Sequence, residues 1–316
     1  MLRTKASSYS KLGSNGYGGY MYDKDMNKVE FSGYRADAVT DFALDYLQNR
    51  DKTNPFFLFL SYIEPHHQND RNRYEGPKGS KERFNGFEVP GDLVDTEGDW
   101  RENYPDYLGC CASIDWNVGR LREELKRQGI AKDTVIVYTS DHGSHFKTRN
   151  SEYKRSCHEG SIRIPLLAYG PGFEGGRIVH ELVSSIDIPP TLLACGDIDK
   201  PQTMRGRCLQ ELVNGKAVDW PQEVYIQISE SQVGRAIRTK RWKYSVCAID
   251  KDGWNDSCSD VYVEEFLYDL EKDPHERNNL VGCSEYRDVC DKLMSILKTR
   301  MVEAGEKGAK IIKVEN

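Results

Sequence analysis

Little in this sequence points to a membrane, a nucleic acid or a disulfide scaffold. No apolar run approaches the roughly 20 residues that a spanning helix needs. The longest, PFFLFLSYI over residues 55–63, is less than half of that. There is no basic surplus: 44 Lys and Arg face 50 Asp and Glu, for a formal net charge of −6. That balance argues against nucleic acid or an anionic membrane as a partner. No CxxC pair occurs among the nine cysteines, which removes zinc-knuckle and thioredoxin-like readings. The odd count speaks against a disulfide framework, and most of these thiols are expected to be buried and free. Cys247 with Cys258, or Cys283 with Cys290, would pair only in an exported protein. The opening MLRTKASSYSKLGSNGYGG has no apolar core, so it reads as neither a signal peptide nor a first strand or helix. On the chain as it stands the compartment is cytoplasmic. A leader lost with upstream sequence would make it periplasmic or secreted.

What is present suits a globular protein. The 316 residues are 38% hydrophobic and 30% charged, enough for a sizeable core under a polar surface. Residues 33–49 show helical spacing at Tyr34, Ala38, Phe42, Tyr46 and Leu47. PFFLFLSYI follows a breaker and predicts a strand buried on both faces. Residues 66–100 are polar and aperiodic, the pattern of a long functional loop. Residues 105–128 repeat apolar side chains at Cys111, Ile114, Val118, Leu121 and Leu125, with Pro105 in the first turn and Gly129 as the stop. TVIVYT (134–139) and IPLLAY (164–169) predict two more buried strands, and 187–194 a short helix. This alternation predicts an α/β fold with a mostly parallel sheet flanked by helices. After Trp220 the pattern changes to short strands at 223–229, 234–239, 242–246 and 265–270, then a helix at 286–304. Two domains are therefore expected, 1–216 and a small 217–316 antiparallel sheet plus helix, with the boundary near 214–221.

The chemistry concentrates at strand ends. Ser140-Asp141-His142-Gly143 follows TVIVYT, and ligands of open α/β sheets bind beyond the carboxyl ends of strands. Asp141 supplies a carboxylate for a divalent cation. By themselves these residues fit an Asx turn with a surface histidine equally well. Lys154 is a point charge for a tetrahedral oxyanion such as sulfate or phosphate. His66, after PFFLFLSYI, is placed to protonate or bind a leaving-group oxygen. His145, Arg149 and His158 flank these positions and read as local hydrogen-bonding residues. Arg71, Arg73, Lys78, Lys81 and Arg83 lie in the long loop, where Asp70, Glu75 and Glu82 offset part of their charge.

With these stretches on view, the sequence resembles the sulfatase family of the alkaline phosphatase superfamily over residues 20–301. The matching segments run in the family's order: GYRADAVTDFALDYL, PFFLFLSYIEPH, YLGCCASIDWNVGRLREELKRQG and TVIVYTSDHG. YKRSCHEGSIRIPLLAYGPG, SIDIPPTLL, MRGRCLQELVNG, RAIRTKRWKYS and FLYDLEKDPHERNNL follow. The resemblance implies an alkaline-phosphatase-like α/β fold and a sulfuric ester hydrolase acting on a sulfated sugar or aryl sulfate. It implies Ca2+ or another divalent cation at Asp141 and His142. It also implies that Lys154 binds the sulfate and His66 contacts it. His142 is the less regular ligand, because calcium prefers oxygen.

The family's nucleophile, a formylglycine made from the Cys or Ser of C/S-x-P-x-R, has no counterpart among the nine cysteines or the serines. The expectation is therefore a C-terminal portion of a sulfatase, inactive alone, with the formylglycine in the preceding part. Two rival readings stand beside it. One is a phosphatase or phosphodiesterase of the same superfamily; the other is a non-catalytic protein that binds sulfated glycans.

Overall fold

The computed structural model describes residues 16–23 and 25–315. In chain order its elements are β1 (Tyr17–Tyr22), β2 (Lys28–Tyr34), α1 (Arg35–Asn49), α2 (Ser80–Phe84) and α3 (Trp100–Arg127). Next come β3 (Ile136–Thr139), α4 (Glu159–Ile162), β4 (Leu166–Tyr169), α5 (Ile188–Cys195) and α6 (Leu209–Val213). The chain closes with β5 (Glu223–Ile228), β6 (Val233–Thr239), β7 (Trp242–Ala248), β8 (Val261–Asp269), α7 (Arg287–Glu303) and β9 (Lys310–Ile312). These elements fall into two compact units. One comprises the chain up to Val89 together with Asp99–Thr134; the other comprises Pro90–Gly98 and everything from Val135 onward. The expected boundary at 216/217 falls inside the second unit, between α6 and β5.

In the first unit, β1 and β2 form an antiparallel hairpin. Most of the polar opening stretch lies outside the described residues, but from Tyr17 it is a strand, contrary to the sequence expectation. The turn explains this. Asp23 Oδ1 accepts the backbone N–H of Asp25 (2.8 Å) and of Asn27 (2.9 Å), a local closure that lets Met26 adopt φ 67°. Helix α1 is tied to α3 by polar contacts. Asn117 Nδ2 donates to Asp37 Oδ1 (2.8 Å), and Gln128 Nε2 donates to the Leu47 carbonyl (2.9 Å). Helix α3 starts at Trp100, earlier than expected, so Pro105 lies inside it and leaves the Arg101 carbonyl without its usual helical donor.

Residues 55–63 correct a sequence expectation. They carry no strand ladder among the described residues. Burial alternates along them: Phe56, Leu58 and Leu60 are half-buried, whereas Phe57 and Phe59 are 70% and 79% exposed. The run has the side chains for two buried faces, but a strand also needs a neighbour's N–H and C=O groups.

In the second unit, β3 and β4 pair antiparallel, with Ile136 opposite Tyr169 and Thr139 opposite Leu166. Parallel pairing needs a long crossover, usually through a helix. The connection from β3 to β4 is long enough for a crossover, but it holds no helix beyond the single turn of α4 to cross the sheet, and the chain returns in the opposite direction. The larger sheet runs β5-β6-β7-β8-β9, antiparallel except for the parallel β8–β9 edge. Its strand period of two sorts the side chains. Ile237, Tyr244, Val246 and Leu267 pack with Leu293, Leu297 and Met301 of α7. Ala236 turns to the other face and packs with Cys157 and Ile228. Arg238 and Lys243 turn there too. This second face carries the segment that ends in α4, and so positions Lys154.

Among the described residues no helix is long and apolar enough to cross a membrane. All nine cysteines are free thiols, so neither suggested disulfide is formed.

Candidate functional site

The site is built where β3 ends. Ser140 Oγ donates to the His142 carbonyl (2.8 Å), and the His142 N–H donates to Asp141 Oδ1 (3.0 Å). Gly143 then passes backbone to backbone: its N–H meets the Ser161 carbonyl at 2.7 Å, and a Cβ there would stand 2.2 Å from the Gly160 oxygen. Only glycine allows that approach. The His142 ring donates from Nδ1 to the Gly143 carbonyl (2.8 Å). That assignment leaves the Nε2 lone pair facing the Lys154 ammonium at 2.7 Å. Asp141 Oδ2 lies 3.4 Å from the same Nε2, with its side chain 84% exposed. Asp141, His142 and Lys154 therefore meet at one point. His66 lies in the first unit, where its Nδ1 sits 2.5 Å from the His67 carbonyl and its N–H donates to Ile63 (2.8 Å).

Lys154 is held from several sides. Buried His145 donates from Nε2 to the Lys154 carbonyl (3.0 Å), while its backbone N–H reaches the Tyr153 carbonyl (2.8 Å). Burial, then the adjacent Arg155, lowers the Lys154 ammonium below its ordinary range; Asp141, Glu230 and Glu152 oppose this. Phe146, Lys147 and Arg155 adopt the left-handed region at φ 49°, 60° and 64°, so the loop is strained as well as bonded. Arg149 fastens it with Nη1 to the Glu276 carbonyl (2.7 Å) and Nη2 to the His275 carbonyl (2.7 Å).

Beneath the loop lies a buried ion cluster that the sequence does not reveal. Lys243, fully buried, places Nζ 2.5 Å from Glu276 Oε1 and 2.8 Å from Glu159 Oε1. Arg238 adds a contact to Glu159 at 3.2 Å, and Glu276 Oε2 accepts the Glu159 N–H at 2.7 Å. Burial pushes both carboxyls up. At Glu159, Lys243 and Arg238 together overcome that push and hold it below its ordinary range. At Glu276, reached by Lys243 without Arg238, burial prevails and the group stays above its range. The pairs are 33 to 84 positions apart, and no local pattern announces them.

His158 shows why a histidine near a candidate site need not be catalytic. Its Nε2 meets the Tyr268 hydroxyl at 3.2 Å and its ring packs on Phe266. Burial, with Arg149 and Lys243 nearby, pushes it down to about 2. The unfolded chain then binds a proton below about pH 6.5 that the folded chain refuses. Stability is therefore lost as pH falls through that range, by up to about 1.4 kcal/mol per pH unit from this group. Urea unfolding at pH 7 and pH 5 is expected to show a smaller loss for His158→Gln than for the wild type. An equal loss in the two would remove this account of His158.

The basic loop is largely self-neutralised. Arg71 Nε and Arg73 Nη2 both reach Glu75 Oε1 at 2.8 Å, and Lys81 lies 3.6 Å from Asp106. This pairing suits a solvated loop better than a polyanion reader.

Asp141 and His142 offer a cation one carboxylate and one imidazole nitrogen, and that nitrogen already faces Lys154. Calcium takes about six to eight oxygens. Among the described residues no group of three or more His, Cys, Asp or Glu is placed to hold a metal ion. These residues do not by themselves fit a calcium site.

The sequence model of the family described as Sulfatase matches residues 3–198, and that of N-sulphoglucosamine sulphohydrolase, C-terminal, matches residues 151–303. An arylsulfatase of Clostridium perfringens is 28% identical over 299 residues, covering 85% of this chain and 58% of its own length. The multifunctional alkaline phosphatase superfamily protein PehA of Trinickia caryophylli is 29% identical over 300 residues, covering 81% of this chain and 58% of its own. The chain thus spans little more than half of either curated relative. Among solved structures, BT4656 in complex with its substrate D-glucosamine-2-N,6-O-disulfate superimposes with a TM-score of 0.74. The sequence identity is 23%, and the match covers 92% of this chain and 74% of that one. That likeness shows the fold, α/β and alkaline-phosphatase-like.

Proposed function

The chain belongs to the sulfatase family, and from that premise we propose that it provides the sulfate-holding side of a sulfuric ester hydrolase acting on sulfated sugars. One observation carries the reading: the Lys154 ammonium is anchored 2.7 Å from His142 Nε2 and beside Asp141, at the end of β3. A fixed cation in a half-buried setting suits the negative charge that develops on sulfuryl oxygens as the ester bond breaks. His145 holds the backbone of that lysine. His66 is proposed separately, as the group that serves the leaving alcohol. Calcium is proposed with Asp141 as one oxygen ligand; His142 could join it only by releasing Nε2 from the Lys154 ammonium.

The nucleophile is not among the nine cysteines. None starts C-x-P-x-R, and burial pushes the Cys110 and Cys157 thiols up to about 12. We propose that the formylglycine belongs to sequence preceding this chain. An in-frame C/S-x-P-x-R in the coding sequence just upstream supports this; a stop codon with no such motif overturns it. The sugar substrate is suggested by BT4656, whose bound substrate is a disulfated glucosamine. PehA, a multifunctional member of the alkaline phosphatase superfamily, is the reason to test a phosphate ester beside the sulfate. Turnover of 4-nitrophenyl sulfate against 4-nitrophenyl phosphate by the polypeptide that carries the nucleophile separates the two, and faster phosphate hydrolysis would replace the sulfatase reading. For the chain itself, calorimetry is expected to show binding of glucosamine 6-sulfate and none of glucosamine.

A further inference from the structure

The loop between β7 and β8 holds a large aromatic residue in the open. Trp254 is 68% exposed. Exposure of an indole on a mobile tip would need no explanation, but this loop is braced. Asp252 Oδ1 accepts the Trp254 N–H (2.9 Å), its Oδ2 accepts Asn255 Nδ2 (2.6 Å), and its own N–H donates to Asp256 Oδ2 (3.0 Å). The Gly253 carbonyl accepts the Glu230 N–H at 2.8 Å. A Cβ on Gly253 would lie 2.7 Å from the Gln232 nitrogen, so the loop presses backbone to backbone on the β5–β6 turn.

The same turn reaches the candidate site. The Arg155 guanidinium lies 5.2 Å from the centre of the Trp254 ring. Arg155 is fixed by Glu152 (2.5 Å) and by Glu230, and its carbonyl accepts the Ser231 hydroxyl (2.7 Å). It follows Lys154 directly in the chain, and the charges of Arg155 and Glu230 both act on the Lys154 ammonium. Trp254, Arg155 and Glu230 thus form one braced assembly, joined to Lys154 by its chain neighbour Arg155.

From this arrangement we propose that Trp254 is a specificity-determining residue: its ring is the platform for the sugar whose sulfate is held at Lys154. The inference rests on the sulfatase reading above. A pyranose has an apolar C–H face and a polar rim, and a rigid indole matches the face at little entropic cost. Glu230, its side chain 39% exposed, offers acceptors to the hydroxyls of the rim. Arg155 holds the indole through a cation–π contact and keeps it in place when no sugar is bound.

The test uses the whole chain and two probes, inorganic sulfate and glucosamine 6-sulfate, followed by calorimetry and by tryptophan fluorescence. In the wild type the sugar sulfate binds more tightly than the ion and perturbs the indole emission; the ion does not. Trp254→Ala is expected to weaken the sugar sulfate by about tenfold and leave inorganic sulfate unchanged. Trp254→Phe should recover part of the loss. Lys154→Ala should weaken both probes. Equal binding of the sugar sulfate by Trp254→Ala and wild type, with sulfate still dependent on Lys154, overturns the platform and leaves the sulfate site standing. Failure of the wild type to bind either probe overturns both.

Discussion

Lys243→Met is expected to lower the stability of the second unit by about 3–5 kcal/mol, the cost of removing one partner from a buried ion pair. The methionine fits the space, so the loss arises from charge. Without the ammonium, Glu276 has no cation and Glu159 has only Arg238, in surroundings where burial already pushes both carboxyls up. The cluster also joins β7 to the first residue of α4, through the Glu276 side chain that accepts the Glu159 N–H. Amide exchange in α4 is therefore expected to speed up before the rest of the unit responds. Glu276→Gln in the Lys243→Met background should restore part of the stability, because it removes one stranded charge. Urea melts of the two single variants and the double variant measure this. A loss below about 1 kcal/mol for Lys243→Met would mean that the cluster is hydrated in solution.

Lys154→Ala, in the polypeptide that carries the nucleophile, is expected to reduce turnover of 4-nitrophenyl sulfate by at least about 10²-fold, the scale of one lost charge stabiliser. The loss should fall mainly on kcat, since the charge on the sulfuryl oxygens grows on the way to the transition state. Lys154→Arg is not a rescue: a planar fork does not replace a compact ammonium set 2.7 Å from His142 Nε2. The fold should survive, because the backbone of residue 154 is held by His145 and not by its own side chain. His66→Ala is expected to act on the same scale if it serves the leaving oxygen. Unchanged turnover in either variant removes that residue from the chemistry.

These expectations mark what local pattern makes legible. The rule that ligands gather at strand ends led from TVIVYT to Asp141 and His142, and the structure brings Lys154 to them. Helix α3 was readable because Ile114 and Leu125 recur at helical spacing, although polar Asn117 and Glu124 are buried with them. Pairing was not readable. The run at 55–63 is apolar on both faces, but hydrophobicity does not name a strand's neighbours, nor did it foresee that β4 runs against β3. Short β9 gives no periodic signal at all. The supports of the site are hidden for a related reason: Lys243 meets Glu276, and Arg155 meets Trp254, across separations where no sequence period applies.

The outer side of the β3–β4 pair governs how the protein behaves in solution. Leu167 and Tyr169, two positions apart on β4, are 60% and 49% exposed. A pair of strands this short has no third neighbour among the described residues to occupy its edges. Such a strip is adhesive, and light scattering by the purified chain is expected to rise faster than its concentration. Leu167→Lys should improve colloidal behaviour and leave the melting temperature nearly unchanged, because the side chain it replaces faces solvent. Storage buffer and protein concentration, more than temperature, then set how long the material stays usable.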